Sequence, residues 1–192
     1  VLIDPSWVLT CAHIGWPTGT ALSCRLQSGQ ELDIDWLYNE AADFCGTLAE
    51  FTNNFDVPNF TSSQLANEGL ALLHLERPVT GVAQLIFSSN GKDSLLVGFR
   101  RTALNCNPRI TAGLHFNSVP WGSVVAAGID AGPCAPDQGD SGGPVFSLAR
   151  EGGQEYGIFA IQNAVSNEMS IVTAVPVASR LASIKAIISG RR

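Results

Sequence analysis

The 192-residue chain is poor in charge and in the residues that usually hold metals. Only 15% of it is Asp, Glu, Lys or Arg, and it has three histidines and one methionine. No run of Lys or Arg occurs, and 11 basic against 17 acidic residues give a formal net charge of −6. That balance disfavours a nucleic-acid partner or an anionic membrane surface. No stretch approaches the ~18 uninterrupted apolar residues that a spanning helix needs. None of the five cysteines (Cys11, Cys24, Cys45, Cys106, Cys134) forms a C-x-x-C pair, and His13, His74 and His115 lie far apart. Zinc-ligand spacing is therefore absent, and neither a metal nor a cofactor is expected. An odd cysteine count leaves at least one free thiol if the others pair, and spacing does not tell which pair. The opening Val1-Leu2-Ile3-Asp4-Pro5 has no basic region or cleavage signal of a secretory leader and reads as the middle of a strand.

The chain is instead 45% hydrophobic, with 19 Gly and 10 Pro. This composition excludes disorder, can bury a real core, and predicts many turns between short strands. Strand-like runs are read at Ser6–Thr10, Ala21–Leu26, Glu31–Tyr38, Gly46–Phe51 and Leu70–Leu75. Further runs follow at Ser94–Arg100, Arg109–Phe116, Gly122–Ile129, Pro144–Ala149, Tyr156–Gln162 and Ser170–Val175. Glu31-Leu32-Asp33-Ile34-Asp35-Trp36 alternates polar with apolar, as a half-buried antiparallel strand does. After Pro176, Val177, Leu181, Ile184 and Ile188 recur at helical spacing, so a closing helix is expected at about 177–189. No repeat or low-complexity linker interrupts this pattern.

Gly139-Asp140-Ser141-Gly142-Gly143-Pro144 carries the sharpest chemistry. A serine between glycines can sit on a tight turn with its hydroxyl exposed and room for a substrate carbonyl. The N–H groups of Gly139 and Ser141 can then converge on one oxyanion. Local chemistry alone is also compatible with an ordinary turn. A hydroxyl is a weak nucleophile and needs a base beside it. His13 stands in Trp7-Val8-Leu9-Thr10-Cys11-Ala12-His13, directly after an apolar run and 128 residues before Ser141. Cys11 could in principle serve as nucleophile with His13, but its strand context suits a small buried residue better.

These two strings, in this order, resemble the trypsin-like serine peptidases of chymotrypsin fold. Leu70-Ala71-Leu72-Leu73-His74-Leu75 is similar to that family's central strand, and the closing helix fits as well. The resemblance implies an all-β fold of two antiparallel Greek-key β-barrels with a C-terminal α-helix, the first barrel cut short at its N-terminus. Residues 1–88 would form the barrel carrying the histidine and 89–192 the barrel carrying the serine. Ser141 would be the nucleophile, and His13 first the base and then the acid. Gly139 and Ser141 would form the oxyanion hole, which Asp140 would organise by pairing with an N-terminal amine. Ala160-Ile161-Gln162 resembles the edge strand that pairs with substrate backbone. Ala135 would floor the primary specificity pocket, with Gln162 and Ser170 on its walls. The partner would be a protein or peptide substrate, and the location secreted or extracytoplasmic.

The departures are specific. The family's third catalytic residue is an Asp heading the central strand, and Gly69 stands there. Glu68 is adjacent, but neighbouring residues of extended chain point to opposite sides. Asp43 or Asp56 could replace it only from a looped segment. Phe55-Asp56-Val57-Pro58-Asn59-Phe60 resembles the segment preceding the family's aspartate loop. Ala160 stands where a serine usually bonds that Asp. Losing the acid lowers kcat by about 10⁴ in this family, or about 5.5 kcal/mol. The family has a further strand and an activating amine before its histidine strand, which implies a longer precursor or a truncated product. The family's usual disulfides do not transfer, and Cys106–Cys134 is a possible pair by position. Ala135 in place of a carboxylate, with Gln162 narrowing the pocket, implies a small or medium uncharged side chain before the cleaved bond. Two functions follow: a serine endopeptidase, active or impaired, or a non-catalytic homologue that binds proteins through the same cleft.

Overall fold

The computed structural model describes residues 1–17, 21–26, 28–56, 69–82, 85–98, 109–119, 123–128, 135–137, 139–149, 153–166 and 170–190. Within them the chain is mostly β. Strands β1 (Leu2–Asp4), β2 (Trp7–Cys11), β3 (Ser23–Arg25), β4 (Glu31–Asn39), β5 (Phe44–Thr47) and β6 (Leu70–Leu75) make the first sheet. Its order is β1-β2-β6-β4-β3, with β5 also on β4. The second sheet contains β7 (Ser94–Gly98), β8 (Arg109–Leu114), β9 (Asn117–Ser118), β10 (Val124–Ala127), β11 (Pro144–Leu148), β12 (Tyr156–Ser166) and β13 (Ile171–Pro176). Its order is β8-β7-β11-β12-β13-β10-β9. Two short helices complete the described elements: α1 (Leu48–Asn54) and the C-terminal α2 (Leu181–Gly190), which a 3₁₀ turn at Ala178–Arg180 leads into. Both sheets are curled antiparallel half-barrels, so the architecture is the expected two-barrel all-β fold with a C-terminal helix.

Burial explains the two central strands of the first sheet. All five residues of β2 are buried, as are five of the six in β6. Because strand side chains alternate faces, each strand feeds two cores. Trp7, Leu9, Cys11, Leu70 and Leu72 face one core, while Val8, Ala71, Leu73 and Leu75 face the other. The first of these is the junction core: Ile158, Ile161 and Val175 enter it from the second sheet and Ile184 from α2. Each such side chain contributes about 1.5–3 kcal/mol on burial. The His13 segment leaves β2, and the Ser141 segment leads into β11. β4 alternates over Glu31–Asp35, with Leu32 and Ile34 inward and Glu31, Asp33 and Asp35 outward; past the irregularity between Ile34 and Trp36, Leu37 joins Leu32 and Ile34 in their core while Trp36 and Tyr38 pack on the junction core.

One expectation needs correction. Gly46–Phe51 is not a strand: β5 ends at Thr47 and α1 begins at Leu48. Thr47 caps that helix. Its hydroxyl accepts from the Glu50 N–H at 3.2 Å, while the Glu50 carboxylate accepts from the Thr47 N–H at 2.9 Å. This reciprocal box satisfies two donors that a helix start leaves open. β6 lies between β2 and β4, and β4 ends at Asn39. Of the Phe55–Phe60 segment, Phe55 is the C-cap of α1, and residues 57–60 lie outside the described residues.

Candidate active site

The turn after β2 carries His13. The Gly15 N–H donates to the Cys11 carbonyl at 3.1 Å, closing the turn. A β-carbon at Gly15 would overlap that of Ala71, so only glycine lets the turn lie flat on β6. Asn39, at the end of β4 and wholly buried, pins it from the side. Its Nδ2 donates to the carbonyls of Ala12 at 3.0 Å and Gly15 at 3.4 Å, and its Oδ1 accepts from the Ala41 N–H at 3.0 Å. Sequence reasoning missed Asn39, since its role depends on a contact across 27 residues. The His13 ring lies against the Cys11 thiol, with Sγ 3.6 Å from Nδ1 and 3.9 Å from Nε2.

The turn before β11 carries Ser141. Gly139 and Gly142 have positive φ, +94° and +82°, in the left-handed region that glycine tolerates. The Gly143 N–H closes the turn on the Asp140 carbonyl at 2.9 Å. Backbone bonds on both sides fasten it to β12: Gly142 N–H to the Gln162 carbonyl at 2.8 Å, and Gln162 N–H to the Gly143 carbonyl at 2.9 Å. The Ser141 hydroxyl donates to the Asn163 carbonyl at 3.0 Å. Asp140 is buried, and its Oδ2 accepts from the Asp137 N–H at 3.0 Å. Its carboxylate lies against the α-carbon of Gly98 on β7, where a β-carbon would overlap it.

The two turns meet. A β-carbon at Gly142 would overlap the Thr10 hydroxyl and lie 3.8 Å from Cγ1 of Ile14. So the residue after Ser141 touches the segment that flanks His13. A cavity of about 990 Å³ runs along the Ser141 turn, bounded by residues 139–144, by Val1 and by Cys24 and Arg25 of β3. Burial pushes the Cys24 thiol above its ordinary pKa.

The other expected site residues are placed as follows. Ala135 is a half-buried bend residue upstream of Ser141, and Ser170 is in the turn into β13 with φ +49°. Ala160, Ile161 and Gln162 are buried, but they are not at an edge. Val145 and Pro144 of β11 pair them on one side, and Pro176, Val175 and Ala174 of β13 on the other. Their backbone groups are therefore committed to the sheet. Beyond the irregularity at Gln162–Ala164, residues Ala164–Ser166 continue pairing with β13. The side-chain amide of Gln162 has no hydrogen-bond partner among the described residues.

Gly69 heads β6 with φ +87°, and its carbonyl accepts from the Ala12 N–H at 3.1 Å. A β-carbon there would overlap the carboxylate of Glu40. That carboxylate accepts from the Leu70 N–H at 2.9 Å, and Nε of Arg180 sits 2.9 Å from both its oxygens. Glu68, Cys106 and Cys134 lie outside the described residues; Cys11 is buried, Cys24 half-buried and Cys45 exposed. Among the described residues no cluster of His, Cys, Asp and Glu could hold a metal ion, and no helix is long and apolar enough to cross a membrane.

No protein-family model matches the chain, and no curated protein matches it.

Proposed function

We propose that the chain is a serine-type endopeptidase of trypsin-like architecture, cleaving peptide bonds through an acyl-enzyme on Ser141. One observation carries this reading: the two motif turns, 128 residues apart, pack against each other where the sheets join, through Gly142, Thr10 and Ile14. In the proposed reaction the Ser141 hydroxyl leaves its bond to Asn163, gives its proton to His13 and attacks the substrate carbonyl. The protonated His13 then returns the proton to the leaving amine, and water repeats the sequence to free the acyl group. The N–H groups of Gly139 and Ser141 would receive the oxyanion. The substrate side chain before the cleaved bond is small or medium and uncharged, since Ala135 offers no carboxylate at the pocket floor. Substrate backbone would pair with the chain beyond Gln162, where β11 no longer covers β12.

The second reading, a non-catalytic homologue that binds proteins in the same cleft, draws on Gly69 and on the engaged Ser141 hydroxyl. A fluorophosphonate probe separates the two. The peptidase reading expects covalent labelling that Ser141→Ala abolishes. Absence of Ser141-dependent labelling overturns it.

A further inference from the structure

Four large apolar side chains stand exposed among the described residues: Ile14, Ile86, Ile110 and Tyr156. Single exposures of this kind are ordinary on a protein surface. Ile14 differs by its place. It follows His13 directly, is 44% exposed, and packs into none of the apolar cores formed by the described residues. The same turn has an inward route for apolar groups, since Trp16 meets Phe51 and Phe55 edge-on. Ile14 is sent the other way, on a turn fixed by the Gly15 N–H and by both Asn39 bonds. A side chain carried on such a turn is in place before anything binds to it.

Its position relative to Ser141 follows from Gly142, which has a different neighbour on each side. The Gly142 N–H donates to the Gln162 carbonyl of β12 at 2.8 Å. Its α-carbon faces Thr10 and Ile14, whose Cγ1 is 3.8 Å from where a β-carbon would stand. The Ser141 turn therefore lies between β12 and the His13 turn. A peptide cleaved at Ser141 divides along the same line. The acyl half belongs to the β12 side, beyond Gln162. The leaving half starts at the nitrogen that His13 must protonate, and that transfer needs hydrogen-bond reach, about 2.6–3.2 Å. The residue that begins with this nitrogen is thereby brought over the His13 turn, where Ile14 offers exposed apolar surface.

We propose that Ile14 is a specificity-determining residue for the leaving half of the substrate, selecting an apolar side chain on the residue directly after the cleaved bond. The proposal rests on the peptidase reading and extends it from the residue before the cut to the one after. No bond is made or broken at Ile14; its contribution is contact. A branched or long aliphatic side chain covers the exposed Ile14 methyl groups and takes both surfaces out of water, whereas glycine leaves Ile14 wet. An apolar contact of a few methyl or methylene groups is worth about 10-fold or more in discrimination.

The test is a competition assay with the full chain. The peptides carry small and medium uncharged residues before the cut and either Leu or Gly after it, and mass spectrometry counts the products. Wild type is expected to cleave the Leu set over the Gly set by about 10-fold or more. Ile14→Ser should bring that ratio to within about twofold, through loss on the Leu peptides, and Ile14→Val should keep most of it. Loosening of the turn would slow both sets together and leave the ratio intact, so the ratio separates contact from a structural role. A ratio near one in wild type, a ratio that survives Ile14→Ser, or cleavage of neither set overturns the proposal. Ile14→Ala takes the place of the serine variant if that one does not fold. Fluorophosphonate labelling of wild-type Ser141 keeps the two readings apart. A chain that labels without a Leu preference loses this proposal alone; a chain that never labels loses the peptidase reading and the proposal with it.

Discussion

The side chain of Thr10 lies against the α-carbon of Gly142, so the strand leading to His13 and the turn holding Ser141 meet without room for one more carbon. Gly142→Ala adds that carbon at φ +82° and is expected to destabilise the fold by about 1–3 kcal/mol. It should also lower Ser141 labelling, because the turn must shift. Thr10→Ala in the same chain relieves the overlap and leaves the backbone strain, so it recovers only part of the loss. Urea unfolding of the two variants beside the wild type checks this; full recovery would mean that sterics alone make glycine necessary.

The α1 cap has a pH signature. Bonds from the Thr47 backbone and then from its side chain hold the Glu50 carboxyl below its ordinary value of 4.5. A lowered folded-state pKa means that the stabilisation is complete above the unfolded value and drains as pH falls through the folded one. Glu50→Gln keeps a hydrogen-bonding group and loses the charge, so wild type should be the more stable at neutral pH and the gap should close in acid. Thr47→Ala removes the cap itself and costs about 1 kcal/mol. Equilibrium unfolding between pH 3 and about 7 tests both expectations.

Thiol reactivity should follow burial. Cys45 is exposed, Cys24 half-buried with its thiol pushed up by burial, and Cys11 fully buried. The thiolate is the reactive form, so alkylation should proceed in the order Cys45, Cys24, Cys11. Cys11 should wait for unfolding. Mass spectrometry of timed iodoacetamide reactions reads this order, and early modification of Cys11 would contradict its placement.

Ile161 joins the halves. It is fully buried in the core that Trp7 and Leu9 share with α2. Ile161→Ala is expected to cost about 2–5 kcal/mol. Because this core belongs to both sheets, Trp7 fluorescence and far-ultraviolet dichroism should lose stability together. Divergence of the two transitions would show halves that unfold independently.

The proposed peptidase activity implies a substrate preference that a peptide library would read. Uncharged small and medium residues should dominate the position before the cut, and Lys or Arg should be rare. Dominance by Lys or Arg would contradict the pocket assigned to Ala135 and Gln162.

Much of this architecture is legible from residue order, and the reasons for the rest are physical. The alternation in Glu31–Trp36 reports one wet face, and the unbroken apolar run Leu70–Leu73 reports a strand buried on both. The α1 helix also had a local signature, since Thr47-Leu48-Ala49-Glu50 is a capping-box pattern; at seven residues its periodicity is too brief to outweigh an apolar reading as strand. The interior position of Ala160–Gln162 is different, because it depends on which strands flank β12. One strand's own residues do not encode its neighbours. Glu40 is the clearest case: its relation to Gly69 spans a β-ladder, and its bond to Arg180 spans 140 residues. No motif or spacing announces such a relation, whereas the glycine that accommodates it was visible as a gap.

That long bond has a consequence for how the molecule is made. A chain emerging from the ribosome presents β4 and β6 well before Arg180 exists, so the first half can pair its strands while the Glu40 carboxylate still lacks its guanidinium. Closing a loop of this length is entropically late relative to local pairing. The segment carrying Arg180 therefore closes on Glu40 only after both motifs have been made, and a product that lacked it would carry both motifs with the Glu40 carboxylate unheld from that side.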